Sequence, residues 1–184
     1  NTASGSQSIA MGLTTTASES RSTAMGQSTV ASGDVSTAMG KDTKALGDTS
    51  TAIGDRTTAS GSKSTAMGDG TTASGTTSTA MGFETTASGS ASTAMGDDTI
   101  ASGAVSTAMG EDTIASGYGS TAMGDATTAF GRSSTSMGQF NVLNTGDNAT
   151  VYAATNTAFS IGNGTNSSSR SDAFKVLFNG TTTI

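Results

Sequence analysis

Cysteine, proline, histidine and tryptophan are all absent from the 184 residues, and aromatics make up only 4% of them. Each absence closes a class. Without cysteine there is no disulfide framework, and without cysteine or histidine the usual soft-metal ligands are gone. Losing histidine also removes the commonest general base, so the abundant Ser and Thr have nothing to activate them. No apolar run approaches the ~20 residues of a membrane-spanning helix, and no signal peptide is visible at Asn1. A net charge of −6 with so few aromatics argues against nucleic acid as a partner. Such a shortage of large side chains would by itself indicate disorder.

A strict period argues the other way. From Gly5 to Gly138 every seventh residue is Gly, at nineteen of twenty positions, with Glu19 the exception. Two residues earlier stands Ala, nineteen times in twenty, with Ser136 the exception. The residue between alternates. It is Met11, Met25, Met39, Ile53, Met67, Met81, Met95, Met109, Met123 and Met137 in one half-repeat, and mostly Ser in the other. The true period is therefore fourteen, written S-T-A-M-G-x-x and T-x-A-S-G-x-x. A short fixed period means stacked coils.

Seven residues suit one short strand and one tight turn, since strands commonly run ~5–6 residues. Helix is disfavoured, because each Gly costs roughly 0.8–1.0 kcal/mol relative to Ala. The two residues after each Gly vary freely and hold most of the charge, which marks them as turns, with Gly supplying the positive φ at the corner. Two strands and two turns per fourteen residues make one flat coil of a parallel β-roll. Strand parity then sorts the faces. In Ser106-Thr107-Ala108-Met109-Gly110, one face carries Ser106, Ala108 and Gly110, and the other carries Thr107 and Met109. Ala recurs in both halves, so the Ala/Gly face is read as the interior. The competing arrangement, Met inside a fatter roll with Ala outside, would set Thr and Ser opposite Met.

With Ala inside, the nine Met and Ile53 form an outward apolar stripe. Coils stacked ~4.8 Å apart make that stripe about 45–50 Å long over ten coils. Soluble monomers rarely leave such a patch uncovered, and identical chains around an axis are the simplest cover. The acids Asp42, Asp55, Asp69, Glu84, Asp97, Asp98, Glu111, Asp112 and Asp125 follow the Met-Gly or Ile-Gly corners and gather along one edge. That edge is a candidate surface contact. It carries no EF-hand or nonapeptide calcium signature, so no metal site or cofactor is expected. Gly117-Tyr118-Gly119 belongs to the repeat and lacks the strand–helix setting of a phosphate loop. No enzyme is expected.

The string Ser36-Thr-Ala-Met-Gly40 followed by Ala45-Leu-Gly47, repeated over 1–138, resembles the head repeats of trimeric autotransporter adhesins, the YadA-like left-handed parallel β-roll. Thr and Met stand where that family usually has Val and Ile. The resemblance implies a homotrimer, a left-handed roll, and a place on a cell surface or virion fibre. After Gly138 the beat stops. Thr150–Ala154 and Asp172–Phe178 read as strands, and Asn163-Gly164 and Asn179-Gly180 as turns. Residues 159–180 resemble the β segment that often precedes the intramolecular chaperone of tail-fibre proteins. The chain thus divides into head repeats over 1–138 and a C-terminal β cap or connector over 139–184. Asn148, Asn163, Asn166 and Asn179 begin N-x-S/T sequons.

The expected function is a structural and adhesive head or shaft segment of an extracellular trimeric fibre, meeting a cell-surface or matrix ligand through its turn residues. Two alternatives stand beside it. One is a subunit whose rolls associate end to end into a filament. The other is an ice- or crystal-binding protein using Thr ladders such as Thr37, Thr51, Thr65, Thr79, Thr93, Thr107 and Thr121.

Overall fold

The computed structural model describes residues 1–184. It is all-β, without a helix, a parallel β-solenoid of about ten coils with a fourteen-residue period. Asn1–Ala91 and Ser92–Ile184 are two compact units.

In Asn1–Ala91, five-residue strands from Ile9–Leu13 to Thr79–Phe83 alternate with two-residue strands from Thr2–Ala3 to Thr86–Ala87. Each set pairs parallel with its own kind and in register. Thr51–Asp55 lies against Thr65–Asp69 with Ile53 beside Met67, and Thr58-Ala59 lies against Thr72-Ala73. The two halves of the coil are therefore unequal, where the sequence predicts equal strand-plus-turn halves. In the Met half the strand runs on through Gly to the next residue. Gly68, at φ +124°, keeps the chain extended in a region that L side chains rarely adopt. In the other half the strand ends at Ala.

The corner residue also differs from expectation. The residue in left-handed geometry is the second after each Gly, and it is mostly not Gly: Lys63, Thr77 and Val35 have φ of 58°, 57° and 58°. A β-branched residue there is an outlier by its own preferences. What holds it is hydrogen bonding. The amide of Lys63 donates to Asp48 O at 2.8 Å, so the corner stays bonded to the coil before it. The amide of Ser64 donates to Gly61 O at 3.2 Å, closing the turn, and its hydroxyl donates to the same oxygen at 2.6 Å. The Ser that opens S-T-A-M-G thus closes the turn with its amide, and at Ser64, Ser78 and Ser134 also with its buried hydroxyl. The hydroxyls of Ser50, Ser106 and Ser120 are instead buried without a partner.

The interior is made of Ala, Ser, Gly and Thr. Ala52, Ala59, Ala66 and Ala73 are fully buried, and so are Thr57 and Thr71. Met67 and Met81 are half-exposed, so Met lies outside the coil and the fatter roll with Met inside is overturned. Parity also puts a Thr column inside that the Ala/Gly/Ser reading omitted. The Oγ1 atoms of Thr29, Thr43, Thr57, Thr71 and Thr85 have no hydrogen-bond partner. A buried hydroxyl left unpaired costs about 1–3 kcal/mol, whereas an apolar group of the same shape avoids that cost. Thr71→Val and Thr85→Val are each expected to stabilise by about 1 kcal/mol, read as a rise in the thermal midpoint. A fall in the midpoint would mean these hydroxyls have partners.

In Ser92–Ile184 the same pattern runs from Thr93–Asp97 to Thr135–Gln139, with short strands at Ile100–Ala101, Ile114–Ala115 and Thr128–Ala129. The fold then takes one more parallel rung that the seven-residue beat does not announce. Thr157–Asn163 pairs with Thr135–Gln139, setting Ser160 beside Ser136, Ile161 beside Met137 and Gly162 beside Gly138. The buried hydroxyl of Ser160 donates to Ser136 Oγ at 2.9 Å. Asp172–Leu177 follows antiparallel, and Thr182–Thr183 pairs with it.

Thr150–Ala154, expected as a strand, is irregular. Its amides are taken locally. Asn148 Oδ1 accepts from Thr150 N at 3.0 Å and Val151 N at 2.7 Å, a side-chain turn that competes with a sheet ladder. On the short-strand side no strand follows Thr128–Ala129. The fully buried Asn141 stands in its place. Its Oδ1 accepts from Thr128 N at 2.7 Å and its Nδ2 donates to Thr128 O at 3.0 Å.

Candidate interaction surface

The stacking places one residue of each kind in each column, and two columns carry the candidate chemistry. In the first unit Met25, Met39, Ile53, Met67 and Met81 lie in register on neighbouring long strands, each half-exposed, with Met11 at 57% exposure. Thr37, Thr51, Thr65 and Thr79 share that outer face. In the second unit Met95, Met109, Met123 and Met137 continue the pattern. There the apolar column gains two residues the sequence reading missed. Ile161 stands beside Met137, and Phe174 pairs with Ile161. Phe174 also packs edge-to-face on Phe159, centroids 6.2 Å apart. Ser160-Ile161-Gly162 repeats Ser136-Met137-Gly138, but 24 residues later, a distance that a scan for multiples of seven passes over.

The acids fall into two adjacent columns. Asp55, Asp69, Asp97, Glu111 and Asp125 are the last residues of long strands. Asp42, Glu84, Asp98 and Asp112 occupy left-handed corners. In the first unit they are partly neutralised. Lys41 reaches Asp55 at 3.3 Å and Asp42 at 3.8 Å, and Arg56 reaches Asp69 at 2.7 Å. The hydrogen bond and charge of Asp69 raise the Arg56 guanidinium above its already high value. These pairs are exposed, so each contributes little to stability. In the second unit Asp97, Glu111 and Asp125 are in register, and neither they nor Asp98 and Asp112 have an ion-pair partner. No three carboxylates come close enough to hold a metal ion, and the surface has no enclosed pocket.

The opposite corner of the second unit is covered by its own chain. Arg132 stacks over the Tyr118 ring at 4.6 Å and donates to Thr150 O at 2.9 Å. The amide of Tyr118 donates to Ala149 O at 2.8 Å. Gly117-Tyr118-Gly119 is therefore a docking corner for the 144–154 segment. Of the sequon residues, Asn148, Asn163, Asn166 and Asn179 are all exposed.

A coil with a filled interior of small residues and one apolar outer column is a recognisable unit. A family model described as the YadA head domain repeat matches residues 3–29, 31–57, 59–85, 87–113 and 115–141, about three quarters of the chain. The chain belongs to the YadA head domain repeat family. Each match spans two coils and they follow one another with single-residue gaps. No curated protein matches the chain. Family membership makes this a structural and adhesive type of segment, of the kind found in trimeric autotransporter adhesins, which as a family are homotrimeric and surface-exposed. Residues beyond 141 lie outside the YadA head match.

Proposed function

We propose that this chain is a homotrimeric head or shaft segment of an extracellular fibre, on a cell surface or a virion, which contacts its ligand through the variable corner residues. One observation carries the reading. The interior of the coil is already filled by Ala, Ser and Thr, yet an in-register apolar column lies outside it. Burying each Met is worth on the order of 1.5–3 kcal/mol, and a three-fold axis lets three identical columns bury one another. Met11, Met25, Met39, Ile53, Met67, Met81, Met95, Met109, Met123 and Met137 line that axis. The corner acids then face outward as contact residues.

Thr51, Thr65 and Thr79 share the Met face, so the axis covers them and they are not an exposed hydroxyl array. Residues 139–184 serve as a cap or connector. Asn141 supports this, since it fills the hydrogen bonds of the last short strand, and open sheet edges otherwise invite pairing with other chains. Their likeness to the segment before a tail-fibre chaperone fits the same position in a fibre.

Light scattering on a size-exclusion column tests the reading. The expected mass is three chains of 17.8 kDa. A monomer at micromolar concentration would overturn it and leave the Met column as a docking face for some other partner.

A further inference from the structure

A β-bulge in the last hairpin brings together three side chains with complementary chemistry. Between Thr157–Asn163 and Asp172–Leu177 the register shifts, so that Ile161 pairs with Phe174 but Gly162 pairs with Asp172. Ala173 is the extra residue. Without it, Asp172 and Lys175 would project from opposite sides of the strand. With it, Lys175 lies opposite Ser160 and Asp172 opposite Gly162, two buried positions on one face. Bulges commonly re-aim a side chain in this way.

The Val142–Asn144 segment runs along that face. Val142 N donates to Asp172 Oδ1 at 2.9 Å. Lys175 Nζ donates to Asn144 Oδ1. Asn144 Nδ2 donates to Val142 O at 3.1 Å. Asn144, Asp172 and Lys175 are each half-buried. Partial burial raises the Asp172 carboxyl above its ordinary 3.8, against the opposing Val142 amide and Lys175 charge. A raised carboxyl exchanges protons more readily near neutral pH than an ordinary one.

We infer that Lys175 and Asn144 form an intramolecular isopeptide bond, with Asp172 as the proton carrier. The amine donates to Oδ1, the oxygen bonded to Cγ, which is the electrophile. Nζ gives up a proton, which solvent relays to the Asp172 carboxylate on the same face of the strand, and attacks Cγ with the freed lone pair. The Nζ–Cγ bond forms and the Cγ–Nδ2 bond breaks, its electron pair leaving with nitrogen. The two protons that Nζ sheds pass through Asp172 to Nδ2, which departs as ammonium. Nothing is oxidised or reduced. The bond ties the 140–156 connection to the last hairpin, so a pull on the C-terminal end meets a covalent tie before it can peel strand from strand.

Intact mass of the full chain tests this. Wild type is expected to fall short of its calculated mass by one ammonia, and a protease digest should contain one branched peptide joining Asn144 to Lys175. Lys175→Arg keeps the charge and should restore the full mass. Asp172→Asn keeps an acceptor for Val142 N and should slow the ammonia loss by about 100-fold, in the range of a lost acid–base group. A succinimide at Asn163-Gly164 or Asn179-Gly180 would also lose ammonia. It gives only linear peptides and survives Lys175→Arg, and that result overturns the inference. So does folded wild type at its full calculated mass, a result that needs no variant to fold.

Discussion

Gly61→Ala is expected to destabilise the roll by at least about 3 kcal/mol, the upper range for forcing extra atoms into a packed site. The reason is the stacking itself. A Cβ built at Gly61 would lie 2.1 Å from Gly75 O and 2.9 Å from Ser74 O, both backbone atoms of the next coil. No rotamer relieves a clash with backbone, so the coils must separate. Separation sacrifices the Gly61 amide bond to Ala73 O, 3.2 Å long. Glu19 is the one side chain in the column, and it is exposed. Gly146→Ala is the control, because a Cβ there meets nothing within 4 Å; it should stay within about 0.5 kcal/mol of wild type. Denaturation midpoints for the two variants decide it. Equal midpoints would mean that stacked Gly is not a packing requirement.

Met109→Asp is expected to abolish the oligomer. In a trimer it would bring three carboxylates together where three apolar side chains met. An unpaired buried charge costs far more than the 1.5–3 kcal/mol or so that each Met contributes. Met109→Leu, similar in volume, should keep the trimer at a cost below about 1.5 kcal/mol. Ile114→Asp, on the outer face of a short strand in the same unit, should leave the mass unchanged. The pattern reads out which sheet faces the axis. Loss of the trimer with Ile114→Asp but not with Met109→Asp would move the axis to the other sheet.

Much of the coil was legible because its determinants are local and repeated. Parity separates Ala108 from Met109, the recurrence of Ala in both half-repeats marks its face as the interior, and the structure keeps that assignment. The features that parity could not show arise from contacts between coils. Whether Gly61 is needed for its conformation or for its missing Cβ depends on how closely Gly75 approaches, which is a distance and not a pattern. That Lys63 or Val35 should adopt left-handed geometry runs against their own preferences, and is imposed by an amide bond to a residue fifteen positions earlier. Thr57 shares the parity of Ala59 and so was legible as an inner residue, but its hydroxyl makes that place look unfavourable until the interior is seen to leave it unpaired. In the C-terminal part, Asn148 looks like any strand-flanking polar residue, yet its side chain captures two amides. The Asp172–Lys175 juxtaposition depends on a single bulge, for which Asp172-Ala173-Phe174 gives no composition cue.

The hydrogen bonds that join one coil to the next span only about one repeat, as from Thr72 N to Thr85 O or from Lys63 N to Asp48 O. Long-range pairing normally slows β-proteins, because distant segments must find each other before any contact is rewarded. Here no segment has to search. Each arriving stretch of chain can zip onto the last finished coil, whatever lies further along, as in other linear arrays where each unit touches only its neighbours. Assembly can therefore keep pace with a chain that emerges from one end, and adding coils lengthens the job without making any single step harder.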